Sequence, residues 1–119
     1  MNATAFAGNL TADPELSFTP NGTAVAKFTV AVNRRISDGK GGFKDQVDGF
    51  FSCVAWRKLA EHLAESTHKG TRVVVVGRLT QRSWEAPDGS RRTAVEVQVD
   101  DIGASLRYGS FSAGGGEEE

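Results

Sequence analysis

Only one stretch of this chain, KLAEHLAEST, repeats its apolar residues at helical spacing. Leu59, Ala60, Leu63 and Ala64 fall on one face, with Glu61 and Glu65 outward. His68-Lys69-Gly70 then supplies a stop, a base in the last turn and a glycine just after. Every other periodic segment alternates with period two or is a short β-branched run, and both are strand patterns. Before the helix come TAFAGNL, then a strand in which Phe28, Val30 and Val32 alternate with Lys27, Thr29 and Ala31, then FFSCVAWR. Pro20-Asn21-Gly22 supplies the turn ahead of the second of these. After the helix come TRVVVVGRL and a hairpin turned at Pro87-Asp88-Gly89, whose return arm sets Val95, Val97 and Val99 on one face. IGASLRY reads as one further short strand at the C-terminal end.

Strand, strand, strand, helix, strand, strand is the layout of the OB-fold. That fold is an all-β Greek-key barrel of five strands, here with its one helix between strands 3 and 4. Residues 1–108 are expected to form this domain, and 109–119, rich in glycine and ending in glutamates, a flexible tail. With 119 residues, 39% apolar and 24% charged, the chain suits a single modest core. No apolar run approaches the roughly 20 residues that span a bilayer. MNATAFAGNL lacks the basic-then-apolar pattern of a signal peptide. The single cysteine, Cys53, excludes an internal disulfide and fits a cytoplasmic location; it is read as a buried thiol, with a bridge to a symmetry mate as the alternative.

Net charge is -1, which excludes a uniformly basic surface. Three of the acids are Glu117 to Glu119, so the body itself is slightly basic and the placement of its bases decides what it attracts. SDGKGGFKDQVDG, with Lys40 and Lys44, reads as a mobile loop of about a dozen residues.

Three rings stand where a core is not expected. On FFSCVAWR, Phe50, Ser52, Val54 and Trp56 share one face, and Arg57 and Lys58 follow. On RLTQRSWE, Trp84 shares its face with Arg78, Thr80 and Arg82, opposite Leu79. A face for water has no use for tryptophan, and a face for the core has no use for two arginines. Single-stranded nucleic acid calls for both, because its bases offer flat surfaces for stacking and its phosphates attract Lys and Arg. The bland alternative packs these rings into the core or a subunit interface.

Other chemistry is thinly represented. His62 and His68 do not share a helix face, and one cysteine on a separate strand cannot complete a metal set, so no metal and no cofactor are expected. Cys53 lies mid-strand among apolar neighbours, which suppresses a thiolate nucleophile. SDGKGGFKD lacks the ending of a phosphate-binding P-loop. No catalytic constellation emerges. From residue chemistry alone, an RNA-binding OB module and a primosomal-type protein-interaction scaffold stay open beside a binder of single-stranded DNA.

GNLTADPELSFTPNGTAVAKFTVAV and WRKLAEHLAESTHKGTRVVVVGRLTQRSWEAPDGSRRTAVEVQVDDI resemble the bacterial single-stranded DNA-binding proteins, over roughly residues 2 to 104. The resemblance implies a homotetramer that wraps single-stranded DNA without catalysis, in replication, recombination or repair, at the nucleoid. By motif it carries base stacking onto Phe50, Trp56 and Trp84, and phosphate contacts onto Lys58, Lys69, Arg82 and Arg92; Arg34 and Arg35 lie near the same surface. A further family position, often tryptophan, is Ile36 here, which offers apolar contact only. DDIGASLRY is similar to the actinobacterial members, where an extra strand clasps a neighbouring subunit. The end GGGEEE has acid but lacks the terminal apolar pair through which such proteins recruit replication and repair enzymes. A short paralogue, or a truncated chain, that coats DNA but recruits them weakly or not at all is therefore expected.

Overall fold

A computed structural model describes residues 2–110; the part of the expected tail from residue 111 on lies outside them. Six strands and one helix follow in the order β1 (Thr4–Leu10), β2 (Glu15–Phe18), β3 (Ala24–Ser37), β4 (Phe43–Trp56), α1 (Arg57–Ser66), β5 (Arg72–Glu85) and β6 (Arg91–Ala104). The sheet runs β1-β5-β6-β4-β3-β2, and β1 also pairs with β3, which closes five strands into a barrel and leaves β2 as an extra strand outside the ring. Among the described residues the one parallel pairing joins β4 to β6 at Cys53↔Val97 and Val54↔Gln98. This is the expected OB-fold, with α1 after the third barrel strand.

Alternation assigns the two faces of each strand. Ala26, Phe28 and Val30 point inward from β3, Cys53 and Ala55 from β4, Val73 and Val75 from β5, Val97 and Val99 from β6. Ala60 and Leu63 of α1 join the same core. Val95, on the inward face of β6 by alternation, is nonetheless exposed because the hairpin has already risen beyond the barrel. Among the described residues no helix is long and apolar enough to cross a membrane.

The expected long loop is mostly strand. Residues 43–49 pair with β3, through Ser37↔Phe43, Ile36↔Lys44 and Arg34↔Gln46, and only a short tip remains unpaired. There Asp38 Oδ1 accepts hydrogen bonds from the backbone N–H of Lys40 (2.7 Å) and Gly42 (3.1 Å). Glycine and charge suggested a loop because this arm is solvated on both sides, so neither face needs an apolar residue. A second arm is formed by β5 and β6. Each hairpin carries a bulge, Asp48 on β4 and Asp100 on β6, where one extra residue bends the strand. Both bulged aspartates face an arginine of the partner strand, Arg34–Asp48 at 2.9 Å and Arg78–Asp100 at 3.4 Å.

Three local expectations change. The extra strand of the sheet is β2, four exposed residues too short for their alternation, Leu16 and Phe18 against Glu15 and Ser17, to stand out. IGASLRY forms no strand of its own: Ile102 to Ala104 prolong β6 beyond its bulge, and Ser105 N–H then bonds the Arg72 carbonyl at 3.1 Å. The helix ends at Ser66, before the predicted stop: the backbone of Thr67 turns extended, and its N–H and Oγ1 both donate to the Leu63 carbonyl, closing the last turn.

Closure depends on Gly8, where β1 crosses β3. A methyl group there would run into the Ala31 carbonyl oxygen and lie 2.8 Å from Val30 Cγ1, whereas nothing lies within 4 Å of one at Gly103. In urea unfolding, Gly8→Ala is expected to lose about 1–3 kcal/mol through overpacking against backbone. Gly103→Ala is expected to stay within about 0.5 kcal/mol of the parent.

Candidate nucleic-acid interface

The outward faces of β3, β4, β6 and β5 join into one curved surface. Register places Lys27 beside Val54, Thr29 beside Ser52 and Ala31 beside Phe50. Gln98 lies beside Val54 on the other side, and Arg78 and Trp84 lie beside Gln98 and Arg92. The three predicted rings therefore share a face that is not the core. Phe50 is 64% exposed, Trp56 39% and Trp84 40%, so none is sealed inside the barrel.

Trp56 closes β4 with extended backbone, and the chain then turns sharply. Arg57 takes a φ of +62°, in the left-handed region that side chains disfavour. This corner starts the helix while leaving the indole on the sheet face. The indole N–H donates to Gln98 Oε1 at 3.0 Å, which fixes the ring against β6. Trp84 sits on the β5–β6 arm. The Arg82 guanidinium lies over it, 4.6 Å from the ring centroid, and its Nε donates to Glu96 Oε2 at 3.1 Å. Arg82 and Glu96 also line an open hollow of about 230 Å³, together with Lys27, Thr29, Ser52 and Val54.

The predicted bases are more dispersed. Lys58 stands on the first turn of α1, 3.4 Å from Glu61. Lys69 lies in the turn after α1, its backbone N–H held by Asp13 Oδ1 at 2.8 Å. Arg92 faces Trp84 across the arm and approaches Asp88 at 3.8 Å. Arg34 and Arg35 stand on the β3–β4 arm, near Asp48 and Asp45. They border a second hollow of about 150 Å³ with Asn9, Arg72 and Tyr108, and do not line the first. Five of these six cations thus lie within 4.0 Å of a carboxylate, and Lys69 has no such partner among the described residues. Exposed pairs of this kind hold loosely, at about 0–1 kcal/mol each.

Sequence reasoning missed three residues on this surface. Glu96 and Gln98 alternate with the valines of the return arm, so VEVQV contained the signal. Phe43 was hidden in the supposed loop. It pairs with Ser37 and is 68% exposed, and by alternation it takes the face that Ile36, opposite Lys44, does not.

Cys53 belongs to the core. It is 1% exposed, its Sγ lies 3.5 Å from the Phe51 carbonyl, and burial pushes its pKa up to about 12. Among the described residues, no three His, Cys, Asp or Glu side chains gather as a metal set.

Two outcomes follow from this geometry. Arg57→Val is expected to cost about 1–2 kcal/mol in urea unfolding, because β-branching worsens the left-handed corner, while Arg57→Gly costs nothing. The Cys53 thiol is expected to resist a thiol reagent in mildly alkaline buffer while folded and to react fully in urea. A folded pKa near 12 against an ordinary 9.0 also means that the unfolded chain deprotonates first. The contribution of Cys53 is therefore constant below pH 9.0 and is lost as pH rises toward 12.

The family described as the single-strand binding protein family matches residues 1–105. Among similar proteins, the single-stranded DNA-binding protein of Mycolicibacterium smegmatis is 58% identical over 102 residues, covering 85% of this chain and 62% of that protein. The single-stranded DNA-binding protein of Mycobacterium leprae is 57% identical, covering 85% and 61%. The single-stranded DNA-binding protein of Paenarthrobacter aurescens is 53% identical, covering 85% and 60%. The matched region spans about three fifths of the length of these relatives.

Proposed function

This chain belongs to the single-strand binding protein family, and from that premise we propose that it binds single-stranded DNA without sequence preference and without catalysis. The carrying observation is that Phe50, Trp56 and Trp84 lie on one open face, each partly exposed. Bases stack on such rings at about 1–3 kcal/mol each, whatever their identity. Phe43 adds a ring further along the same face. Lys69 supplies charge for phosphates directly, and Lys58, Arg34, Arg35 and Arg92 do so by exchanging exposed carboxylates for DNA. The protein works as a homotetramer in the cytoplasm, protecting single strands during replication, recombination or repair. An outward apolar strip supports self-association: Val74 and Val76 of β5, 41% and 43% exposed, pair with Ala7 and Ala5 of β1.

Titration with poly-dT, read by tryptophan quenching, tests the proposal. Quenching is expected to saturate, with affinity falling as salt rises by a slope of about −0.7 per phosphate neutralised. Trp56→Ala and Trp84→Ala are each expected to lose about 1–3 kcal/mol of binding while remaining folded. Absence of quenching removes the DNA-binding reading, and undiminished binding by both variants removes the assignment of stacking to these two rings. A matched RNA oligomer in the same assay reports whether the sugar is read.

A further inference from the structure

Arg82 is the cation nearest a stacking ring, yet its charge is already spoken for. Its Nε lies 3.1 Å from Glu96 Oε2, and the Glu96 side chain is only 15% exposed. The acids of the other ion pairs range from 36% to 69% exposed. Glu96 is therefore the most enclosed acid among the ion pairs of the described residues. Less water reaches this carboxylate than any of the others, so it compensates its arginine more fully. The guanidinium meanwhile lies 4.6 Å from the Trp84 centroid. One guanidinium thus lies close to both the ring and the acid.

We propose that Glu96 limits the affinity of this surface for single strands: it neutralises Arg82, so that Arg82 braces Trp84 instead of binding a phosphate. The proposal rests on the reading of this face as a DNA surface. A guanidinium whose charge is balanced within the protein displaces few counter-ions from DNA, and so adds little to the salt dependence of binding. The brace itself needs a hydrogen-bond acceptor at position 96, but no charge, and glutamine keeps an acceptor oxygen in nearly the same place.

The test is the poly-dT titration repeated across a range of salt. Glu96→Gln is expected to steepen the salt slope by about 0.7 and to tighten binding about fivefold near 0.1 M salt, the gain from one additional phosphate contact. Glu65→Gln, on α1 outside this face, changes net charge equally and is expected to leave the slope alone. In an Arg82→Gln background, Glu96→Gln is expected to add nothing to the slope. Arg82→Gln alone is expected to weaken binding with the slope unchanged, because the charge it removes is masked. That variant keeps the proposal open to refutation even if Glu96→Gln fails to fold.

An unchanged slope in Glu96→Gln, an equal change in Glu65→Gln, or a slope shallower by about 0.7 in Arg82→Gln overturns the masking. Weaker binding by Glu96→Gln overturns it too, since the charge of Glu96 would then be needed to hold Trp84. If the parent itself fails to quench with poly-dT, the failure belongs to the DNA-binding reading and is told apart by that control.

Discussion

Barrel closure hangs on the crossing of β1 over β3, where Gly8 leaves no room for a side chain. Once that crossing is made, β1 bridges β3 and β5, and the ring has an inside. Alternation then acts on every strand at once. Phe28, Cys53, Val75 and Val97 go in, and Lys27, Trp56, Arg82 and Gln98 go out. Two tryptophans can stay on the surface because the valines, alanines and phenylalanine of the opposite strand faces already fill the interior.

The two arms extend this sorting beyond the barrel. Each is a hairpin bent at an aspartate bulge and tied to its partner strand by an arginine. Toward the tip of each arm there is no core, so residues of both parities meet water. Phe43, Trp84 and Val95 are exposed there for the same reason, although Val95 carries the parity of a core residue. Strand β6 has a second role on the barrel's outer face. Glu96 and Gln98, two residues apart, hold the groups that set the two indoles, one through Arg82 and one directly.

Much of this was legible before any coordinates. FFSCVAW shows its two faces openly, because Phe50, Ser52 and Trp56 cannot all be core, and the helix period of KLAEHLAEST is unambiguous. What escaped detection did so for physical reasons. Strand β2 is exposed along its whole length, so it has no buried face, and its four residues are too few for their alternation to stand out. The β3–β4 arm is wet on both sides, and its glycines and lysines imitate a loop. The helix ends where Thr67 turns extended with its hydroxyl capping the Leu63 carbonyl, a local switch that a base and a glycine further on do not reveal. The mutual neutralisation of Arg34, Arg82 and Arg92 by carboxylates arises from cross-strand neighbours and from a turn, and no linear charge count contains it.

The partnership of β1 with β5 has a temporal side. Thr4 pairs with Gly77, and Phe6 with Val75, so the first strand's main partner is more than half the chain away. A ribosome adds about 5–20 residues per second. The backbone groups of β1 that face β5 thus wait on the order of 4–14 s for their partner to be translated, a lag that follows from that rate. During this interval a nascent chain presents an apolar strand edge, and crowding of neighbouring polysomes becomes its chief hazard.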